Sequence, residues 1–185
     1  MTALYSIGYG NRTWQATLML LEKYSCQFLI DVRSSPFSKF NPDFSRENLE
    51  LLCAGAGIRY VFMGDTLGGK PGGSDNFDDD GKVDYIKLAE TPAFQLGLAR
   101  LRTAHQKGLS CFLMCSELRP ETCHRCKLIG AELAELGIEI IHISETGSEL
   151  TQDAAIKRLT GGQNDIFGTD PEVTRSRGSY GGRGR

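Results

Sequence analysis

The chain has 185 residues, 40% of them apolar and 24% charged, with a formal net charge of −2. That length suits one domain with a little to spare, and the proportions exclude a wholly disordered chain, a collagen and a coiled coil. The near-neutral balance argues against a bulk basic nucleic-acid binder. No stretch approaches the ~18 apolar residues of a membrane span. The opening MTALYSIGYGNR lacks a basic-then-apolar leader, so a cytoplasmic location is expected.

Short apolar runs alternate with helical spacing. ALYSIGY (3–9) reads as a strand, and Thr13 caps a helix from Trp14 to Tyr24. CQFLIDV (26–32) is a continuous apolar run of the kind found in a parallel strand buried on both faces. Ser45 caps a helix to Ala56 that Gly57 closes, and RYVFMG (59–64) is a third strand. Tyr85–Glu90 and Pro92–Lys107 read as helices, the second with proline in its first turn. LSCFLMC (109–115) is a fourth strand, Cys123–Leu136 a helix ended by Gly137, and IEIIHI (138–143) a fifth strand. Thr151 caps a last helix to Leu159.

This alternation predicts a Rossmann-like α/β domain over residues 1–160, with a mainly parallel five-stranded sheet and helices on both faces. Residues 161–185 are expected to be a flexible Gly/Arg-rich tail. Its end, TRSRGSYGGRGR, holds Arg175, Arg177, Arg183 and Arg185 and no acid. Such charge asymmetry suits a nucleic-acid or acidic partner, or merely a solubilising end.

Ligands of open α/β sheets bind beyond the carboxyl ends of the strands. The first strand ends in Gly8-Tyr9-Gly10-Asn11, the second in Asp31-Val32-Arg33-Ser34-Ser35-Pro36 and the third in a loop holding Leu67-Gly68-Gly69. The fourth ends in Cys115-Ser116-Glu117 and continues to Cys123-His124-Arg125-Cys126. This last block is the strongest signal. A thiolate near a helix N-terminus, beside histidine and arginine, has a lowered pKa, and Glu117 adds an acid or base. The plain alternative is that Glu121 or Thr122 caps the helix and the thiols are inert.

Neater motifs fail on spacing. A phosphatase loop needs arginine six positions after its cysteine, where Glu121 stands. A rhodanese-type anion cradle is shorter than the Cys115–Thr122 stretch. A calcium loop starting at Asn76 would need glutamate where Lys87 stands. Cys123 and Cys126 form a CxxC pair with only Cys115 to complement it, so no metal ligand is assigned. Cys26, Cys53 and Cys111 lie in apolar runs and read as buried core thiols.

The motifs Ser6-Ile7-Gly8-Tyr9-Gly10-Asn11, Asp31-Val32-Arg33-Ser-Ser-Pro36, Leu67-Gly68-Gly69 and Met114-Cys115-Ser116-Glu117 with Cys123-His124-Arg125 resemble the domain-of-unknown-function 488 family. The resemblance runs from about residue 4 to about residue 145 and implies a single α/β domain. One position departs from it: Tyr9 stands where the family has histidine.

The expected function is therefore an enzyme acting on a phosphorylated, nucleotide or nucleic-acid substrate. Cys115, Glu117, Cys123 and His124 are its candidate catalytic residues. Tyr9, Asn11, Asp31, Arg33, Gly68, Gly69 and Arg125 are its candidate binding residues. The alternatives are a non-enzymatic nucleic-acid-binding module and a Cys/His metal or redox protein using Cys115, Cys123 and Cys126. Cofactor and oligomeric state stay open.

Overall fold

The computed structural model describes residues 4–73, 75–162 and 171–180. In chain order its elements are β1 (Leu4–Gly8), α1 (Trp14–Lys23), β2 (Phe28–Asp31), α2 (Arg46–Gly55), β3 (Arg59–Phe62), α3 (Gly64–Leu67) and β4 (Lys82–Asp84). Then come α4 (Tyr85–Ala89), α5 (Pro92–Gln106) and β5 (Cys111–Cys115). After a π-helical stretch (Arg125–Gly130) follow α6 (Ala131–Glu135), β6 (Ile140–Ile143), β7 (Glu149–Thr151), α7 (Gln152–Leu159), α8 (Pro171–Thr174) and β8 (Arg175–Ser179).

Among the described residues, six strands form one sheet in the order β3-β2-β5-β1-β6-β7, and β4 pairs with β8 in another. Every pairing of the main sheet is parallel except β6 with β7. The fold is thus the expected mainly parallel α/β domain, with six strands rather than five. The sixth is the three-residue β7. It escaped the sequence pattern because three residues are too few to display a period, and its hairpin turn is closed by Gly147 at φ +82°.

Strand alternation sends side chains to two cores. Along β5, Cys111, Leu113 and Cys115 face one and Phe112 and Met114 the other. Helices α1 and α2 cover the second face with Trp14, Leu21, Leu49 and Cys53. Helices α4, α5 and α6 cover the first with Leu88, Phe94, Leu98, Leu101 and Leu133. Each such buried Leu or Phe contributes roughly 1.5–3 kcal/mol. The caps expected at Thr13 and Thr151 form, accepting from the N–H groups of Ala16 and Ala154. Ser45 stands at the N-cap of α2 but its hydroxyl turns to Ser38 instead.

The segment expected as a free tail is partly built into the domain. β8 runs antiparallel to β4, and Arg175 pairs with Asp78, Asp80 and Glu172. The acidic loop is therefore held to the basic segment by opposite charge, a partnership that no local pattern announces. Arg183 and Arg185 lie outside the described residues.

Chain order also sets where a ligand site falls. The connection after β2 leads outward to β3, whereas that after β5 leads the opposite way to β6. A crevice opens where neighbouring strands part like this. It lies between the ends of β2 and β5, which carry Asp31 and Cys115.

A buried polar chain crosses the sheet behind that crevice. Gln152 Nε2 donates to the Cys126 carbonyl at 3.1 Å, which turns its Oε1 toward His142 Nε2 at 2.7 Å. His142 Nε2–H then donates, and Nδ1 accepts from Ser6 Oγ at 2.6 Å. Burial lowers the His142 pKa to about 4 from an ordinary 6.5, against the pull of Gln152. The unfolded chain thus binds the extra proton first, and stability contributed by neutral His142 is lost as pH falls from about 6.5 toward about 4. Between pH 7.5 and pH 5 the loss is expected to be about 2 kcal/mol. His142→Gln should remove that part of the pH slope in urea titrations, and an unchanged slope would refute the assignment.

Candidate active site

Cys115 ends β5 with its side chain on the α4–α6 face of the sheet. Beyond it the chain makes a 3₁₀ turn at Pro120–Thr122, and Cys123 precedes the helix that begins at His124. The expected single helix from Cys123 to Leu136 is instead π-helical through Arg125–Gly130 and α-helical only from Ala131. Such π segments cluster at functional sites.

This turn brings four groups together. His124 Nε2–H donates to the Val32 carbonyl at 2.9 Å, so Nδ1 faces two sulfurs. It lies 3.9 Å from Cys115 Sγ and 3.6 Å from Cys123 Sγ. Glu117 completes a cluster in which one donor atom from each of Cys115, Glu117, Cys123 and His124 lies within 4.8 Å of the others. A hydrogen bond from Cys123 holds the Cys115 pKa well below the ordinary thiol value, with His124 and Arg125 adding to the effect against burial. Burial and the Cys115 charge push Cys123 the opposite way. Burial opposes charge on His124, but the Cys115 thiolate outweighs it and raises the imidazole pKa. The shifts favour the charged forms of Cys115 and His124 and the neutral form of Cys123.

Arg125 corrects one expectation. It is fully buried. Its Nε donates to Cys123 Sγ at 3.3 Å, its Nη1 to Ser6 Oγ at 3.1 Å and its Nη2 to the Glu117 carbonyl at 2.6 Å. It thereby joins the His142 chain to the thiols and is an internal counter-charge. Gly8 makes room for it: a Cβ there would collide with the Glu117 carbonyl and come within 2.8 Å of the guanidinium. Gly8→Ala is expected to cost about 1–3 kcal/mol in urea unfolding and to loosen the Glu117 loop. A neutral effect would show that the loop yields freely.

Asp31 and Arg33 form the second half. Asp31 Oδ1 accepts from Arg33 Nε at 2.8 Å and Oδ2 from Nη2 at 2.6 Å. Asp31 is fully buried and holds Arg33 in place. Arg33 Nη1 donates to the Tyr9 hydroxyl at 3.2 Å, and Tyr9 stacks on Phe44 with ring centroids 4.1 Å apart. Tyr9 therefore works as an acceptor that steadies the arginine. Tyr60 was missed: its hydroxyl donates to Asp31 Oδ2 at 2.8 Å. Nothing in an alternating strand marks that position.

Both halves open on one cavity of about 180 Å³. Cys115, Glu117, His124, Arg33, Tyr9 and Gly69 line it. A Cβ at Gly69 would fall 2.6 Å from the His124 ring, so only glycine lets this loop lie on the imidazole. Five expected residues do not line the cavity, Asp31 and Arg125 among them. Asn11 is exposed on the β1–α1 turn. Gly68 packs against Ser34 and borders a neighbouring groove. Cys123 sits behind Cys115. Cys126 leaves the thiol cluster altogether and packs with Leu150 and Ala155, because the helix turns it away.

A family model described as a domain of unknown function, DUF488, matches residues 13–148. The chain belongs to the DUF488 family. No curated protein and no solved structure matches it. The matched span holds Asp31, Arg33, Gly69 and the whole Cys115–Arg125 block. Tyr9 and β8 lie outside that span. Among the described residues, no helix of this DUF488 chain is long and apolar enough to cross a membrane.

Proposed function

We propose that this DUF488 protein is a thiol-dependent hydrolase or transferase acting on an anionic, phosphorylated substrate. The observation that carries the reading is the Cys115–His124 pair, 3.9 Å apart at the wall of a cavity that also presents Arg33. A thiolate is the nucleophilic form of cysteine, and a neighbouring imidazolium sustains it. Arg33, locked by Asp31 and Tyr9, offers a fixed donor to an oxyanion. Glu117 exchanges protons with the reacting oxygen across the cavity. The test is hydrolysis of a panel of phosphate monoesters by the wild type, Cys115→Ser and Glu117→Gln. Loss of turnover in both variants supports the reading, and full activity in both overturns it.

A second reading rests on the donor set itself. In a tetrahedral zinc site the nitrogen–sulfur edge is about 3.6 Å, close to the two distances at His124 Nδ1. The His124 Nε2–Val32 contact is the outer hydrogen bond that metal-bound imidazoles make. Cys115, Glu117, Cys123 and His124 would be the ligands, not the Cys123–Cys126 pair. Metal content on protein purified without oxygen separates the readings. One equivalent of zinc or iron with protected thiols selects the metal centre. Metal-free protein with a fast-reacting Cys115 selects the nucleophile.

A further inference from the structure

The cavity is finished by a segment that the reading so far leaves idle. Strand β8 is tied to β4 by the Val83 N–H to Ser176 Oγ bond at 2.8 Å, and Tyr180 N–H donates to the Gly81 carbonyl at 2.6 Å. These ties bring Arg177 and Tyr180 to the lining of the cavity that also holds Arg33. Lys70 lies over the Tyr180 ring, 4.0 Å from its centroid, and lines the same cavity. Arg33, Lys70 and Arg177 thus line the cavity with Glu117 as the sole carboxylate among the lining residues.

Two aromatic rings flank this cationic mouth. Phe37 is 71% exposed and Tyr180 46% exposed, and both line the cavity. Aromatic faces exposed beside a polar cavity are surfaces on which a flat ring can stack. The cavity is also smaller than the ~300–1,000 Å³ that swallows a drug-sized molecule. Only the reacting end of a substrate fits inside, and the remainder must lie across the rings. Cations that hold phosphate beside rings that stack are the combination that binds nucleotides.

We propose that the cavity takes a nucleoside monophosphate group, its phosphate between Arg33, Lys70 and Arg177 and its base against Phe37 and Tyr180. This rests on the reading of the cavity as an anion site but not on Cys115 being a nucleophile. The group is either a free nucleotide or the 5′ end of a single strand. Sequence-tolerant stacking on aromatic side chains makes the base identity secondary.

Calorimetric titration of the full chain with adenosine monophosphate, ribose 5-phosphate and a 5′-phosphorylated oligonucleotide tests it. Adenosine monophosphate is expected to bind at least tenfold more tightly than ribose 5-phosphate. Phe37→Ala should erase most of that ratio and leave ribose 5-phosphate unchanged, whereas Tyr180→Ala, which also releases Lys70, should erase the ratio and weaken ribose 5-phosphate as well. Arg177→Ala should weaken all three ligands. Both rings are exposed, so their removal leaves the core intact. Tighter binding of the oligonucleotide assigns a strand end, and equal binding assigns the free nucleotide. Equal affinity for adenosine monophosphate and ribose 5-phosphate, or no binding of either, overturns the proposal. Slow alkylation of Cys115 alongside base-dependent binding would instead defeat the thiol mechanism alone.

Discussion

Iodoacetamide at pH 7 is expected to label Cys115 and to leave Cys26, Cys53, Cys111 and Cys126 almost untouched. Burial pushes Cys26, Cys53 and Cys126 up to about 12 and Cys111 to about 11. A thiol with a pKa of 12 is ionised in roughly one molecule in 10⁵ at pH 7, and only the thiolate reacts. Cys115 is held below the ordinary value, first by the hydrogen bond from Cys123 and then by His124 and Arg125. Its labelling rate should therefore stay flat as pH falls through 8 and decline only in more acidic solution. Removing Cys123 as a donor or His124 as a positive neighbour raises the Cys115 pKa. Cys123→Ala and His124→Gln are each expected to slow labelling at pH 6 by tenfold or more. Peptide mapping by mass spectrometry reads the result. Uniform labelling of the cysteines, or an ordinary thiol pH profile at Cys115, would remove the basis for thiol chemistry.

Asp31→Ala is expected to cost about 3–5 kcal/mol of folding stability. Four donors converge on this carboxylate: Arg33 N–H, Nε and Nη2, and the Tyr60 hydroxyl. Both ends of the ion pair are buried, Asp31 at 0% exposure and Arg33 at 5%. Without Asp31 a guanidinium remains in the interior with only the Tyr9 hydroxyl to satisfy it. For a chain of this size, that loss lowers Tm by on the order of 10 °C. The double variant Asp31→Leu, Arg33→Met should recover most of the stability, because a buried ion pair is nearly balanced by its own desolvation. That variant should still fail to bind phosphate esters. Thermal and urea unfolding of the three proteins separates the two roles. Full stability in Asp31→Ala would mean that solvent reaches Arg33, and full binding in the double variant would remove Arg33 from the site.

The order and kind of most elements, and the loops that hold chemistry, were legible in the amino-acid sequence. Apolar runs of six or seven residues marked β1, β2, β3, β5 and β6, and capping threonines placed the starts of α1 and α7. These signals are local: burial on both faces demands a continuous apolar strand, and a helix end demands an acceptor for its free N–H groups. The sequence also singled out Asp31, Arg33, Cys115, Glu117 and His124, because polar and nucleophilic groups at strand ends have no packing role to explain them.

What only the tertiary structure decided is direction and partnership. Arg125 and Cys123 stand next to His124 in sequence, yet one turns into the interior and the other lies behind Cys115, because the helix rotation and the space left by Gly8 dictate it. Asn11 follows Tyr9 by two residues and still misses the cavity. Ser6, His142 and Gln152 meet only because β1 and β6 are neighbours in register. Arg177 and Tyr180 reach the cavity only because β8 pairs with a three-residue strand almost a hundred residues earlier. A periodicity reports which face of its own element a residue occupies. It carries nothing about which strand will lie alongside, since that depends on how all the helices pack at once.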